Sequence, residues 1–158
     1  MNNNLENKEI LSEEFLEVID EIIKYHPNVV FGGSIALNAV GLINRKVGDI
    51  DLFFKVGENP NKNNFLVGEN NLDVFSDTVT DINGIEIKRT GMKMKNIKIC
   101  CFNIPEEELK FSRFKFLGRE ISIHNINYAI IAKMTYANKN NKHKEDLKEA
   151  FAALNNLF

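Results

Sequence analysis

No run in this 158-residue chain is long and apolar enough to span a bilayer. The opening MNNNLENKEI lacks the basic start and apolar core of a secretory signal, so no export is expected. Cysteine is scarce. Cys100 and Cys101 are adjacent, and adjacent cysteines rarely make a good disulfide. The expected setting is therefore a reducing, cytoplasmic one with no membrane partner. An excess of positive charge is also missing. Lys and Arg total 20 against 22 Asp and Glu, a net charge of -2. That argues against broad coating of nucleic acid, which relies on clustered cations, and leaves room only for a local basic patch. His26, His124 and His143 are scattered without ligand spacing, so a zinc site is not expected. Internal repeats and a linker between independent domains are absent too.

What is present is the composition of one folded domain, with 44% hydrophobic and 27% charged residues. Residues 1–8 are polar and expected to fray. LSEEFLEVIDEIIKYH then has Phe15, Leu16, Ile19, Ile22 and Ile23 at helical spacing, with Ser12 to cap the helix and Pro27 to end it. Asn28 to Phe31 reads as a short strand, SIALNAVG as a short helix stopped by Gly41, and GDIDLFFKV as a second strand. NLDVFS, GIEIKRT, NIKICCFNI, FKFLGRE and ISIHN read as further short strands. NYAIIAKMTYAN and KEDLKEAFAALNNLF read as two closing helices. The expected fold class is α+β: a mixed sheet flanked by helices, as a single domain over residues 1–158, with a core at 28–124 and closing helices at 125–158.

The stretch VVFGGSIALNAVGLINRKVGDIDLFF, Val29 to Phe54, carries the chemistry. Its two glycines let a backbone approach a ligand closely, and N–H groups at a helix start can point at an anion. On their own they are equally a tight strand-to-helix turn, and they match neither a Walker loop nor GxGxxG. Asp49 and Asp51 add the second half. At i and i+2 on a strand, both carboxylates face one side. The neighbouring Ile50, Leu52, Phe53 and Phe54 mark an inner strand, where two carboxylates want a cation. Mg²⁺ suits them, because it binds through one or two protein carboxylates and substrate phosphates.

The sequence GGS, then Arg, then DID resembles the signature of the DNA polymerase beta-like nucleotidyltransferase superfamily. It looks most like the small bacterial and phage members, abortive-infection toxin nucleotidyltransferases among them. The tail INYAIIAKMTYANKNNKHKEDLKEAF is similar to the family's closing helices, where a lysine is followed by a basic stretch and an acidic pair. The resemblance implies a nucleotidyltransferase-like fold. It implies that Gly32, Gly33 and Ser34 hold nucleotide phosphates, that Asp49 and Asp51 ligate Mg²⁺, and that Arg45 and Lys133 face the triphosphate. The bland alternatives are a surface ion pair for Arg45 and a snorkelling lysine for Lys133. A third carboxylate on a neighbouring strand is implied as both metal ligand and catalytic base. Asp73 in NLDVFS is the choice, Glu86 in GIEIKRT the rival, and the carboxylate-free IKICCFNI a third outcome in which that acid is lacking.

The implied activity is transfer of a nucleoside monophosphate from an NTP to a hydroxyl by a two-Mg²⁺ mechanism. The acceptor would be an RNA such as a tRNA 3′ end, a protein side chain or a small molecule. The alternative is a catalytically inactive relative that binds a nucleotide or a protein partner. Cys100 and Cys101 are expected to pack rather than react. KNNKHKED is expected to be a solvated connection. Phe111, Arg113, Phe114, Lys115 and Phe116 read either as a half-buried hairpin or as a basic face guiding a nucleic-acid acceptor.

Overall fold

The structure, a computed structural model, describes residues 12–44, 46–60, 71–136 and 141–155; the side chains of residues 71–74, 136, 141 and 142 are outside the description. Helix α1 spans Glu13–Tyr25, with Ser12 Oγ accepting the Phe15 N–H at 3.1 Å as its cap. Its apolar stripe buries Phe15, Val18, Ile19 and Ile22. Full burial of such side chains stabilises by about 1.5–3 kcal/mol each. The chain then forms β1 (Val30–Phe31), the short helix α2 (Gly33–Ala39) and β2 (Asp49–Lys55). Gly41 follows α2 at φ +80 and ends it, where a side chain would be strained.

Strands β3 (Asn71–Thr80), β4 (Glu86–Met94) and β5 (Ile97–Ile104) form an antiparallel meander. A single 3-10 turn at Glu106–Glu108 leads to the hairpin β6 (Phe111–Phe116) and β7 (Arg119–His124). Two helices close the chain, α3 (Ile126–Tyr136) and α4 (Asn141–Asn155). KHKED therefore belongs to α4 rather than to a connection. Among the described residues the architecture is α+β, with four helices and a seven-stranded mixed sheet in the order β3-β4-β5-β2-β1-β7-β6.

Two parallel pairings decide that order. β5 returns beside β2, with Asp51 opposite Cys100, and β7 returns beside β1, with Val30 opposite Ser122. Alternation along each strand splits the sheet into two faces. Ile50, Leu52 and Phe54 join Ile99, Cys101, Met92 and α1 in the main core. Phe53, Val30, Ile87 and Ile104 lie on the opposite face, with Tyr128 of α3 packed against them. A separate cluster ties α2 to the closing helices through Leu37, Ala129 and Ala150. Asp49 and Asp51 share the face of Phe53.

Candidate functional site

The turn between β1 and α2 is pinned directly onto β2. The Gly32 N–H donates to the Asp51 carbonyl at 2.9 Å. A Cβ at residue 32 would strike the Phe53 ring, 2.7 Å from Cδ2. Gly33 lies closer to the chemistry. Its φ is +55, and a Cβ there would sit 3.2 Å from Asp51 Cγ and closer still to Oδ2. Both positions therefore need glycine, the first for space and the second for space and backbone conformation. The two halves of the Val29–Phe54 stretch meet at this contact. Asp51 is half-buried against the turn, while Asp49, two residues earlier on the same face, is exposed at its mouth.

Lys133, from the last turn of α3, reaches this corner. Its ammonium donates to Ser34 Oγ at 3.1 Å and to Asp146 Oδ2 at 2.7 Å. Lys133 is almost fully buried and Asp146 wholly so. A buried charge requires a partner, and α4 supplies one. The snorkelling alternative for Lys133 is thus replaced by an inward ammonium. Asp146 was missed in the sequence as a site residue. Its only signal was the acidic pair that follows the closing lysine. α4 is fastened elsewhere by Glu149, whose Oε1 accepts the Asn44 N–H at 2.7 Å.

Gly33, Asp51 and Lys133 line one end of a cleft of about 110 Å³, with His143 also in its wall. Phe53, Phe102 and Tyr128 form its apolar middle. The Phe53 and Phe102 rings stack with centroids 5.3 Å apart, and Tyr128 meets Phe53 edge-on at 5.6 Å. Thr80 at the end of β3 and Asp81 and Ile82 in the turn after it complete the lining.

Arg45 lies outside the described residues. Asp73 is on β3, its side chain also outside the description, and β3 stands three strands from β2. At the usual strand spacing that is about 14 Å across the sheet, beyond shared ligation of one metal pair. Glu86 begins β4 and alternates with Ile87, which faces Phe53, so it points to the other face. The strand beside β2 is β5, where Lys98, Cys100 and Phe102 stand opposite Asp49, Asp51 and Phe53. None is an acid. Burial and the Asp51 charge push the Cys100 thiol up to about 11, so it stays protonated at neutral pH. Burial also raises the Cys101 thiol. Both cysteines are buried packing residues, as expected.

The Phe111–Phe116 strand forms the edge opposite β3, three strands from β2. Arg113 donates to Ser122 Oγ and to the Glu120 carbonyl within its own hairpin. That places the basic side chains away from Asp51.

Among the described residues, no three His, Cys, Asp or Glu side chains gather as a metal site. The pair that does fit a metal is Asp49 and Asp51. Hard oxygen donors on one face, beside a turn that a Cβ would fill, match Mg²⁺ completed by phosphates and water. Among the described residues, no helix is long and apolar enough to cross a membrane.

No family model and no curated protein matches the chain. A solved structure with some likeness is that of JHP933 from Helicobacter pylori, at 18% identity and a TM-score of 0.44, over 78% of this chain and 57% of that one. This chain thus spans just over half the length of that protein, and a likeness so loose assigns neither fold family nor activity.

Proposed function

We propose that this protein is a Mg²⁺-dependent nucleotidyltransferase that moves a nucleoside monophosphate from an NTP to an acceptor hydroxyl. The observation that carries the reading is the contact between Gly33 and the Asp51 carboxylate, with the Lys133 ammonium held against Ser34 beside it. A triphosphate needs cations on its oxygens and backbone close enough to donate to them. Gly33 and Ser34 offer an N–H and a hydroxyl at that corner, and Lys133 offers fixed positive charge. Asp49 and Asp51 would hold the metal, and Mg²⁺, when bound, supplies neutralisation of the phosphate charge. In the transfer, the acceptor hydroxyl gives up its proton to solvent, its oxygen bonds to the α-phosphorus, and the bond from that phosphorus to the bridging oxygen of the β-phosphate breaks, releasing pyrophosphate. Asp146 holds the Lys133 ammonium in place, which makes it a positioning residue. The nucleotidyltransferase-like fold and the cytoplasmic setting expected from the sequence belong to the same proposal.

The test is nucleotide transfer from α-labelled NTPs to an RNA pool, to protein and to small hydroxyl acceptors. Asp49→Asn and Asp51→Asn should each abolish labelling while melting like the parent protein. Full labelling by both variants would remove the metal assignment.

One observation favours a second reading, a nucleotide-binding protein without transfer activity. The strand next to β2 places a protonated thiol, Cys100, opposite Asp51, and Asp73 is three strands away. Metal-dependent NTP binding in calorimetry, with no labelled product from any acceptor, would select this reading over the first.

A further inference from the structure

We propose that the sheet face running from Asp49 across β5 and β4 to Phe75 on β3 holds a single strand of nucleic acid as the acceptor. The inference rests on the nucleotidyl-transfer reading above and adds to it the class of acceptor.

Register places these side chains on one face. Asp49 and Asp51 on β2 stand opposite Lys98 and Cys100 on β5. Lys98 and Cys100 stand in turn opposite Lys93 and Gly91 on β4. Gly91 stands opposite Phe75 on β3, and Arg89 opposite Asp77. Arg89 is also opposite Phe102, which is opposite Phe53. Paired residues in a ladder point to the same side, so Lys98, Lys93, Arg89 and Phe75 share the face of the Asp49–Asp51 pair. From β2 to β3 this row covers about 14 Å at the usual strand spacing.

The row is open to solvent. Asp49, Lys98 and Lys93 are exposed. Phe75 is 39% exposed although it is a large apolar side chain. An isolated exposed ring is ordinary on a protein surface. This one is held in place. It lies over Gly91, where a Cβ would sit 3.1 Å from Phe75 Cδ1 and closer still to Cε1 and Cζ. The Arg89 guanidinium stands over the ring, 5.5 Å from its centroid. Asp77 fixes that guanidinium: its Oδ1 accepts the Arg89 Nε–H at 2.9 Å, and its Oδ2 accepts a second N–H. The Arg89 charge is thereby met within the protein. What the pair presents is a flat ring beside a flat guanidinium.

A small acceptor needs contacts only beside Asp49 and Asp51. A row of this length suits a polymer. Lys98 and Lys93 supply cations for backbone phosphates. Phe75 and Arg89 supply planes on which unpaired bases stack. An acidic polypeptide would satisfy the lysines and leave the planes unused. A duplex would keep its base faces stacked on one another, away from the ring.

Fluorescence anisotropy on the full chain tests this, with a labelled single strand of about ten nucleotides, as RNA and as DNA. Duplex RNA and poly-glutamate are the competitors, and calorimetry with Mg²⁺ and the four NTPs runs in parallel. The single strand should bind, and the RNA and DNA arms tell which of the two is the acceptor. Phe75→Ala should weaken binding about tenfold, within the usual range for one lost stacking contact. Phe75→Tyr should restore it. Lys93→Ala combined with Lys98→Ala should lower the slope of log K against log salt by about 1.4, the value for two phosphate contacts to a single strand. NTP binding should persist in every variant. If no strand binds while NTPs do, this inference fails alone. It fails alone too if the Phe75 and lysine variants hold the strand as the parent does, or if duplex or poly-glutamate displaces it as well as unlabelled strand. If the strand binds through these residues and no NTP binds, the acceptor role fails together with the nucleotide site.

Discussion

Gly33 and Asp51, 18 positions apart by their numbering, stand so close that the carboxylate occupies the space of a missing side chain. The turn that would receive a phosphate and the acid that would receive a metal are therefore one structural unit. Gly33→Ala tests this directly. The left-handed backbone alone costs about 1–2 kcal/mol for a residue with a Cβ, and the displaced Asp51 adds to it. The expected outcome is a folded protein with a lowered urea midpoint and no Mg²⁺-dependent nucleotide binding. A variant that binds as tightly as the parent would separate the turn from the acid.

The ion pair of Lys133 and Asp146 predicts a non-additive pair of substitutions. Asp146→Ala strands a buried ammonium and should lose about 3–5 kcal/mol in equilibrium unfolding. Replacing both residues, as Lys133→Met with Asp146→Leu, should recover most of that stability while leaving nucleotide binding abolished. Recovery of stability would show that the loss in Asp146→Ala is the cost of stranding a buried ammonium; a double variant as unstable as Asp146→Ala would assign it to lost packing.

His124 predicts an acid-sensitive limb. Its Nε2–H donates to the Glu108 carbonyl at 2.8 Å, its Nδ1 is buried without a partner, and burial lowers its pKa below the ordinary 6.5. The unfolded chain takes up a proton at about 6.5 that the folded chain resists. Stability is thus complete above that pH and falls as pH drops from it toward the lowered folded value, by at most about 1.4 kcal/mol per pH unit. His124→Gln should flatten this limb in urea titrations collected between neutral and mildly acidic pH. An unchanged slope would assign the limb to other groups.

Arg119 and Asp20 predict a weaker effect at lower pH. The guanidinium binds both carboxylate oxygens, at 2.6 and 2.8 Å, and its hydrogen bonds hold the Asp20 pKa below its ordinary value. The stabilisation is present above about 3.8 and is lost as pH falls through the lowered folded value. The pair is solvent-exposed, so Asp20→Asn should cost under about 1 kcal/mol at neutral pH, and added salt should shrink the difference.

Local chemistry made much of this readable in the sequence. Ser12 capped α1, Gly41 ended α2, and the GGS–DID stretch folded as strand, turn, helix and strand. Each depends on neighbours within a few residues. Strand order does not. Asp73 follows the Asp49–Asp51 strand in the chain, but β4 and β5 insert between them in the sheet because β5 returns parallel to β2. Adjacency in sequence therefore misplaced the third acid. Asp146 was hidden for the same reason, since it matters through Lys133 and, beyond it, Ser34 far away along the chain.

Ser34 and Lys133 are 99 residues apart, yet they share one hydrogen bond. Synthesis at about 5–20 residues per second puts about 5–20 seconds between their emergence from a ribosome. During that interval the acidic pair and glycine turn exist without their ammonium, and β1 lacks the β7 strand that flanks it. A nascent or truncated chain ending before α3 therefore lacks both the ammonium and its Asp146 partner, which come only with the last two helices.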